Sequence, residues 1–342
     1  MTKQRVVVGF SGGKDSTTAA IDLKHQGYDV HLLTMLLGFG DDEARIPKLQ
    51  ILADTLGMPL KIIDLQEQFH KRVVEYFLRD YAASRTPNPC AVCNVHVKFN
   101  LLLRYALDEM GADFFATGHY ADRECVDGKW FLKEPADRRK SQIYFLGLID
   151  PDVLRYVLFP IAKYTIDQVR ETVKDLPLVN KDESQDVCFL EGRTLVEYLE
   201  RHMPEKFKEG DILDTDGNKM GNHPGAVYFT VGQRRGTFFA AGSKLYVLDK
   251  DVEKNTVTLG ENERLMSDTV TVERIVFWRP VKKGELLDAK VRYVSKYSNA
   301  EILEVTEDTI RARFDAPVRA VTPGQLGVFY SDGLIVAAGF IR

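Results

Sequence analysis

Six residues near the start of the chain, Ser11-Gly12-Gly13-Lys14-Asp15-Ser16, restrict its fold more than any others. Before them, Arg5 to Phe10 is apolar and β-branched enough for a strand buried on both faces. After them, the alanine-rich run 17–26 reads as a helix that stops at Gly27. A glycine-bearing turn therefore feeds a helix N-terminus. Paired glycines let backbone approach an anion, and the helix dipole and first-turn N–H groups favour negative charge, so phosphate is the natural ligand. Ser11 and Ser16 supply hydrogen-bond donors, Lys14 a charge partner, and Asp15 a magnesium or phosphate-positioning carboxylate. The spacing is neither G-x-x-x-x-G-K-[ST] nor G-x-G-x-x-G.

The first half keeps up a strand–helix alternation. The patterning predicts strands over 28–35, 60–65 and 112–117 and helices over 47–56, 66–83 and 94–110, the last with Phe99, Leu102, Leu103, Ala106, Leu107 and Met110 on one face. That rhythm predicts a doubly wound parallel sheet, in which ligands sit at the carboxyl ends of the strands. Ser11 to Ser16, Met35 and Thr117-Gly118-His119-Tyr120 all fall just past expected strand ends and can converge on one nucleotide. His119 can equally be a satisfied buried group. A chain of 342 residues should hold two or three domains. From Gly210 onward, turn signals such as Asp216-Gly217, Pro224-Gly225, Lys283-Gly284 and Pro323-Gly324 separate short strands, which predicts an all-β second half.

The formal charge of −4 and pI near 6.0 give no globally basic binder, so contact with RNA must come from local patches. The first strand starts too early to leave room for a leader, and no apolar run approaches the ~18 residues of a membrane span, so a cytoplasmic enzyme is expected. In that compartment the four cysteines are not expected to be structural disulfides. Cys90 and Cys93 form a C-x-x-C behind Arg85-Thr86-Pro87-Asn88-Pro89, a pattern that reads as redox, catalytic or metal-binding. The two prolines should exclude a helix, stiffen the loop and hold both thiols beside the next helix's N-terminus, where the dipole lowers a thiol's pKa. The bland alternative is a pair of small buried residues. Cys125, beside an expected Asp127-Gly128 turn, has no motif around it.

S-G-G-x-D-S resembles the pyrophosphate loop of the N-type ATP pyrophosphatases, which split ATP into AMP and pyrophosphate to activate a substrate oxygen. Further along, Thr86-Pro87-Asn88-Pro89, Cys93-Asn94, Lys98-Phe99, Ala116 to Ala121, Tyr144-Phe145-Leu146, 182–190 (DESQDVCFL), 229–236 (FTVGQRRG), Arg292-Tyr293 and 319–330 (RAVTPGQLGVFY) occur in order. Together they resemble the tRNA-specific 2-thiouridylase family over nearly the whole chain. The resemblance implies a Rossmann-like pyrophosphatase domain over 1–192, a small β-rich central tRNA-binding domain over 193–265 and a C-terminal β-barrel over 266–342. It implies sulfur transfer to carbon 2 of the wobble uridine, with ATP adenylating the uracil oxygen and sulfur displacing AMP. Matched position by position, Gly9, Phe10, Ser11, Gly12, Gly13, Lys14, Asp15 and Ser16 bind ATP with Mg2+, and Met35 and Gly118 lie near adenine and ribose. Cys188 would carry a persulfide and Cys93 assist, a disulfide between them closing the cycle. Asn88, Pro89, Cys90, Lys140, Ser141, Gln142, Arg292 and Tyr293 would meet the tRNA, and a sulfur-donor protein or sulfide would feed a monomeric enzyme.

Three places depart from the family's pattern. Lys14 replaces a small apolar residue and resembles other tRNA-thiolating pyrophosphatases. The loop Lys140-Ser141-Gln142-Ile143 differs from Lys-Asp-Gln-Ser. Cys90 stands where the family commonly has aspartate, so Cys90, Cys93 and Cys188 offer three thiolates, the ligand set of a 4Fe-4S cluster with one open iron. Zinc would occupy the sulfurs without delivering one. Basic and stacking groups suited to tRNA occur at Arg138-Arg139-Lys140, Gln233-Arg234-Arg235 and Lys282-Lys283, although such runs are also ordinary surface. Two other functions remain open: an adenylating amide ligase acting on a small metabolite, and a tRNA-binding or sulfur-carrying protein without catalysis.

Overall fold

The structure is a computed structural model that describes residues 3–40, 42–178, 187–190, 192–237 and 244–342. The chain divides into two compact units. The first comprises Met1–Val73, Cys90–Glu191 and Asp332–Val336, the second Val74–Pro89, Gly192–Ser331 and Ala337–Arg342.

In the first unit, strands β1 (Arg5–Gly9), β2 (Asp29–Leu36), β3 (Leu60–Asp64) and β4 (Phe114–Thr117) share the early chain with helices α1 (Lys14–His25) and α2 (Asp42–Leu56). An antiparallel hairpin of β5 (Asp122–Val126) and β6 (Lys129–Lys133) follows, then the short β7 (Val157–Leu158). The main sheet is wholly parallel in the order β3-β2-β1-β4-β7. Val6, Val7 and Val8 are fully buried, as a central strand covered on both faces requires. Ala19, Ala20 and Leu23 of α1 pack with Val6, Val8 and Leu32 of the sheet and with Leu49, Leu52 and Ala53 of α2. Removing one such leucine side chain would cost ~2–5 kcal/mol. Strand order reverses between β1 and β4, which places the binding crevice at their carboxyl ends.

Helix boundaries differ from the sequence expectation at three places. α2 starts at Asp42 and carries Pro47 inside it. Arg45 ties the first turn down by donating to Asp42 Oδ1 at 2.9 Å and to the Met35 carbonyl at 3.0 Å, and a proline this early removes a single helical hydrogen bond. The helices after Leu65 and after Cys93 contain π-helical turns at His70–Val74, Asn94–Leu102 and Tyr105–Glu109. The cysteine pair is not in a loop: Pro89–Cys93 is itself helical, because proline is well suited to a first helical position.

The second unit contains a four-stranded sheet of β8 (Gly210–Leu213), β9 (Lys219–His223), β10 (Tyr246–Asp251) and β11 (Thr256–Gly260), in the order β10-β11-β8-β9. It continues with β12 (Met266–Phe277), β13 (Leu286–Lys290), β14 (Ser298–Val305), β15 (Thr309–Arg319), β16 (Leu326–Ser331) and β17 (Leu334–Ile341). These run β12-β15-β14-β13-β16-β17, and β12 pairs antiparallel with β17 from Val272↔Ile341 to Phe277↔Ala337, which closes a six-stranded barrel. β12 breaks register between Glu273 and Val276, where Arg274 has φ +54°, the kind of bulge that bends a strand around a barrel. The first residues of β17 belong to the first unit, where Leu334 pairs with Lys133 of β6 and the Glu134 amide donates to the Gly333 carbonyl at 3.0 Å. Among the described residues no helix is long and apolar enough to cross a membrane.

Candidate active site

The glycine turn sits at the switch point between β1 and β4. Gly12 takes φ +75°, a conformation only glycine adopts cheaply, and Gly13 caps α1 without a side chain. The two serines hold the turn closed: Ser16 Oγ donates to the Gly13 carbonyl at 3.2 Å and accepts the Ser11 amide at 3.3 Å, and Ser11 Oγ lies 3.2 Å from it. The turn thus presents the opening of α1, whose first amides have no carbonyl one turn back, as an anion site. Phe10 contributes by packing, since its ring is buried and its amide donates to the Leu33 carbonyl at 2.8 Å. Gly9 is packed under Phe115, whose Cζ would lie 3.1 Å from an added Cβ. Met35 is near the end of β2, half-buried, with its carbonyl held by Arg45.

Gly118 closes the other side. A Cβ there would meet the backbone of Asp15 and Ser16 at 2.6 Å, so the segment after β4 lies directly on the phosphate turn. The next residues extend that contact. Tyr120 Oη donates to Asp15 Oδ1 at 3.3 Å, and the Tyr120 amide and carbonyl both pair with Gln142, at 2.9 Å to its side chain and 2.8 Å to its amide. The sequence placed Tyr120 beside the nucleotide and Gln142 against the tRNA; the contact of the hydroxyl with Asp15 and the hold of Gln142 on the Tyr120 backbone were not legible in it.

His119 connects this turn to the cysteines. Its Nδ1 lies 2.9 Å from Thr117 Oγ1 and its ring sits 5.8 Å from that of Phe99, on the helical stretch that follows Cys93. Burial, and next the charge of Lys98, hold the imidazole well below its ordinary pKa, so the ring is neutral at physiological pH. Lys98 acts as well on all three thiols of Cys90, Cys93 and Cys188, and the thiols act on one another, which places them in one neighbourhood. Cys93 is buried at 8% exposure, whereas Cys90 and Cys188 reach solvent although protein surrounds them closely.

That environment reverses the expected acidity. Burial raises all three thiols, Cys188 to about 12 with Cys93 and Cys90 adding to the effect, and Lys98 opposes it without prevailing. Desolvation outweighs the helix dipole on which the sequence reading relied. All four cysteines are free thiols in the structure. Three thiolates suit a 4Fe-4S cluster in kind, but among the described residues no three His, Cys, Asp or Glu side chains stand close enough to hold a metal ion. Magnesium is a different case, because it binds through one or two carboxylates plus substrate phosphates, and Asp15 at the phosphate turn suits that role. Residues 182–186 of the Cys188 segment lie outside the described residues.

The residues expected to meet tRNA divide between the units. In the first, Arg138–Lys140 forms one 3-10 turn in which Arg139 pairs with Asp137 at 2.9 Å, Ser141 follows it, and Gln142 is committed to Tyr120. Cys90 also belongs there. In the second, Asn88 and Pro89 are buried, the Asn88 amide donating to Tyr76 Oη at 3.2 Å. Arg292 donates to the Val231 carbonyl at 2.9 Å, to the Ala320 carbonyl at 3.1 Å and to Thr322 Oγ1, so its guanidinium braces two other segments of its own unit, at 231 and at 320–322. Tyr293 lies 5.7 Å from Lys290 Nζ, and Tyr297 flanks the same ammonium at 5.3 Å.

An anion turn at the switch point of a parallel sheet, Cys90, Cys93 and Cys188 in the same unit, and a closed β-barrel later in the chain define an α/β protein with β appendages. Family models match in that order: a tRNA methyl transferase HUP domain over residues 4–192, a tRNA methyl transferase PRC-barrel domain over 196–261 and an aminomethyltransferase beta-barrel domain over 267–341. The tRNA-specific 2-thiouridylase MnmA of Clostridioides difficile is 36% identical over 355 residues, covering 99% of this chain and 98% of that protein. Its counterpart from Acetivibrio thermocellus is 37% identical over 360 residues, covering 100% of both. The chain belongs to the tRNA-specific 2-thiouridylase family.

Proposed function

We propose that the protein is an ATP-dependent thiolase that replaces the 2-oxygen of a tRNA wobble uridine by sulfur. The observation that carries this reading is the chain of contacts Asp15–Tyr120, Gly118 and His119–Phe99, which joins the phosphate turn to the helical stretch that follows Cys93, within one unit. The uracil oxygen would attack the α-phosphorus of ATP at the Ser11–Ser16 turn, with Asp15 holding Mg2+ and pyrophosphate leaving. A terminal persulfide sulfur on Cys188 then attacks carbon 2 and expels AMP. The Cys93 thiolate takes Cys188 Sγ, which leaves 2-thiouridine in the tRNA and a Cys93–Cys188 disulfide. A two-electron thiol reductant reopens it.

The other expected roles support the same reading. Met35 lies at the strand end suited to adenine, and Lys140, Ser141, Arg292 and Tyr293 are the tRNA-side groups, with Arg292 acting through the loops it braces. The enzyme would work as a cytoplasmic monomer on an anticodon stem-loop, with domains 1–192, 193–265 and 266–342; a sulfur-donor protein would pass sulfane sulfur to the Cys188 thiol, or sulfide would take the reductant's place, opening the Cys93–Cys188 disulfide to leave the outer sulfur on Cys188 and Cys93 as a thiol. A second reading, sulfide held by an iron-sulfur cluster, is favoured by the extra thiol of Cys90 in the neighbourhood of the other two and opposed by the absence of a metal-holding group among the described residues.

The test is anaerobic 2-thiouridine formation on unmodified tRNA with ATP, comparing metal-free protein given a persulfide donor with protein reconstituted with iron and sulfide. Full activity without iron supports the persulfide route, and activity only after reconstitution establishes the cluster. Tight tRNA binding without AMP release overturns catalysis. AMP release driven by a small amine in place of tRNA moves the chain to the amide ligases.

A further inference from the structure

The loop that leads to the cysteine pair is held residue by residue within the second unit. Ser84 Oγ accepts the Val252 amide at 2.8 Å, Arg85 donates to Glu273 Oε1 at 3.0 Å, and the Thr86 amide donates to the Pro323 carbonyl at 2.8 Å. Gln325 holds the next two positions at once: its Nε2 donates to the Thr86 carbonyl at 3.0 Å and to the Pro87 carbonyl at 3.2 Å. Its own backbone is fixed, since the Gln325 carbonyl accepts the Ile341 amide at 2.7 Å.

This clamp is fitted to the loop. Pro87 and Pro89 have no N–H to offer, so beyond the Thr86 and Asn88 amides the loop's carbonyls are its polar handles, and buried carbonyls require a donor. Gly324 has φ +90°, and a Cβ there would stand 2.9 Å from the Thr86 oxygen, so only glycine lets Pro323 and Gln325 close on the loop from either side. Pro89, the last residue of this unit, is the first residue of the helix Pro89–Cys93. Fixing the carbonyls of residues 86 and 87 therefore fixes the entry of the helix that bears Cys90 and Cys93.

We propose that Gln325 is a positioning residue for the thiol chemistry, clamping Thr86 and Pro87 so that the cysteine helix starts from one defined point and direction. The inference rests on the reading of Cys93 as part of the sulfur-transfer site. It assigns to the barrel's 323–325 turn a task apart from gripping RNA.

The experiment compares wild-type protein with Gln325→Ala, which deletes both bonds, and Gln325→Glu, which keeps the shape but turns an acceptor toward two carbonyls. Four quantities are read: kcat and KM for tRNA in 2-thiouridine formation, the thermal midpoint, and the iodoacetamide labelling rate of Cys90 relative to exposed Cys125 by peptide mass. Both variants should lower kcat about tenfold, leave KM within about twofold, keep the midpoint within a few degrees, and change the Cys90 to Cys125 labelling ratio at least threefold. Gly324→Ala, which pushes on the Thr86 carbonyl, should give the same pattern. An unchanged kcat, a rise in KM alone, or lost activity with an unchanged labelling ratio overturns the proposal. So does loss that merely tracks the thermal midpoint. Should wild-type protein form no 2-thiouridine, the functional reading fails while the labelling ratio still decides whether the clamp governs the cysteine helix.

Discussion

The hydroxyl of Tyr120 donates to Asp15 Oδ1 at 3.3 Å, so the carboxylate in the first turn of α1 is aimed from the loop after β4, across the switch point. Tyr120→Phe keeps the buried ring and removes this one donor. Loss of a hydrogen bond of ~0.5–1.5 kcal/mol should slow tRNA-dependent AMP formation by roughly 2–13-fold. Release of labelled AMP under saturating ATP measures it. An unchanged rate would show that the tyrosine only fills space.

Gly118→Ala tests the packing beneath that bond. The new Cβ would lie 2.6 Å from backbone atoms of Asp15 and Ser16, which have no flexible side chain to yield. Overpacking of this kind costs ~1–3 kcal/mol. We expect a lower unfolding midpoint and weaker ATP binding by calorimetry. Normal ATP affinity would mean that the phosphate turn shifts freely.

The Cys188 thiol, pushed up to about 12 by burial and by the two neighbouring cysteines, is protonated throughout the physiological range. Its alkylation rate in ligand-free protein should climb ~tenfold per pH unit from 7 to 10 without levelling. Mass mapping of the Cys188 peptide provides the curve. A plateau below pH 9 would identify a far more acidic thiol and a stronger role for Lys98.

Lys250 is 4% exposed in the second unit, and its Nζ has no hydrogen-bond partner among the described residues and lies 5.0 Å from the Tyr81 ring centre. Burial lowers its pKa from 10.5 to about 8. Between those values the unfolded chain holds a proton that the folded chain lacks, so stability rises with pH across that window, and below it the destabilisation by this buried ammonium is full and constant with pH. Lys250→Met should stabilise the protein at pH 7 by on the order of 1–3 kcal/mol and flatten the rise. Urea unfolding at pH 7 and 9.5 checks both effects, and a destabilised variant at both pH values would show that the ammonium has a partner of real worth.

The sequence made the first unit legible where local chemistry and the fold agree. Val6 to Val8 read as a central strand because both faces are covered, and Gly12-Gly13 read as an anion turn because only glycine takes that path. The start of the cysteine helix at Pro89 was not legible, since a proline pair signals a helix break and a helix start equally well. The direction of the thiol pKa shifts was missed for a different reason: desolvation depends on what surrounds Cys188, and its surroundings are remote in sequence. Arg292 shows the same limit. An arginine in a motif beside a tyrosine suggests RNA, yet the carbonyls of Val231 and Ala320 that receive its protons come from segments that no local pattern connects to it.

The pairing of Leu334 with Lys133 also has a consequence for how the protein is made. At ~5–20 residues per second, the ribosome delivers Leu334 roughly 10–40 s after Lys133, so the β5–β6 hairpin waits with an open edge while the second half is synthesised. A nascent chain that stalls in the barrel is therefore short of part of its first unit as well as the end of its second. Shielding of that waiting edge by a chaperone would matter most in this interval.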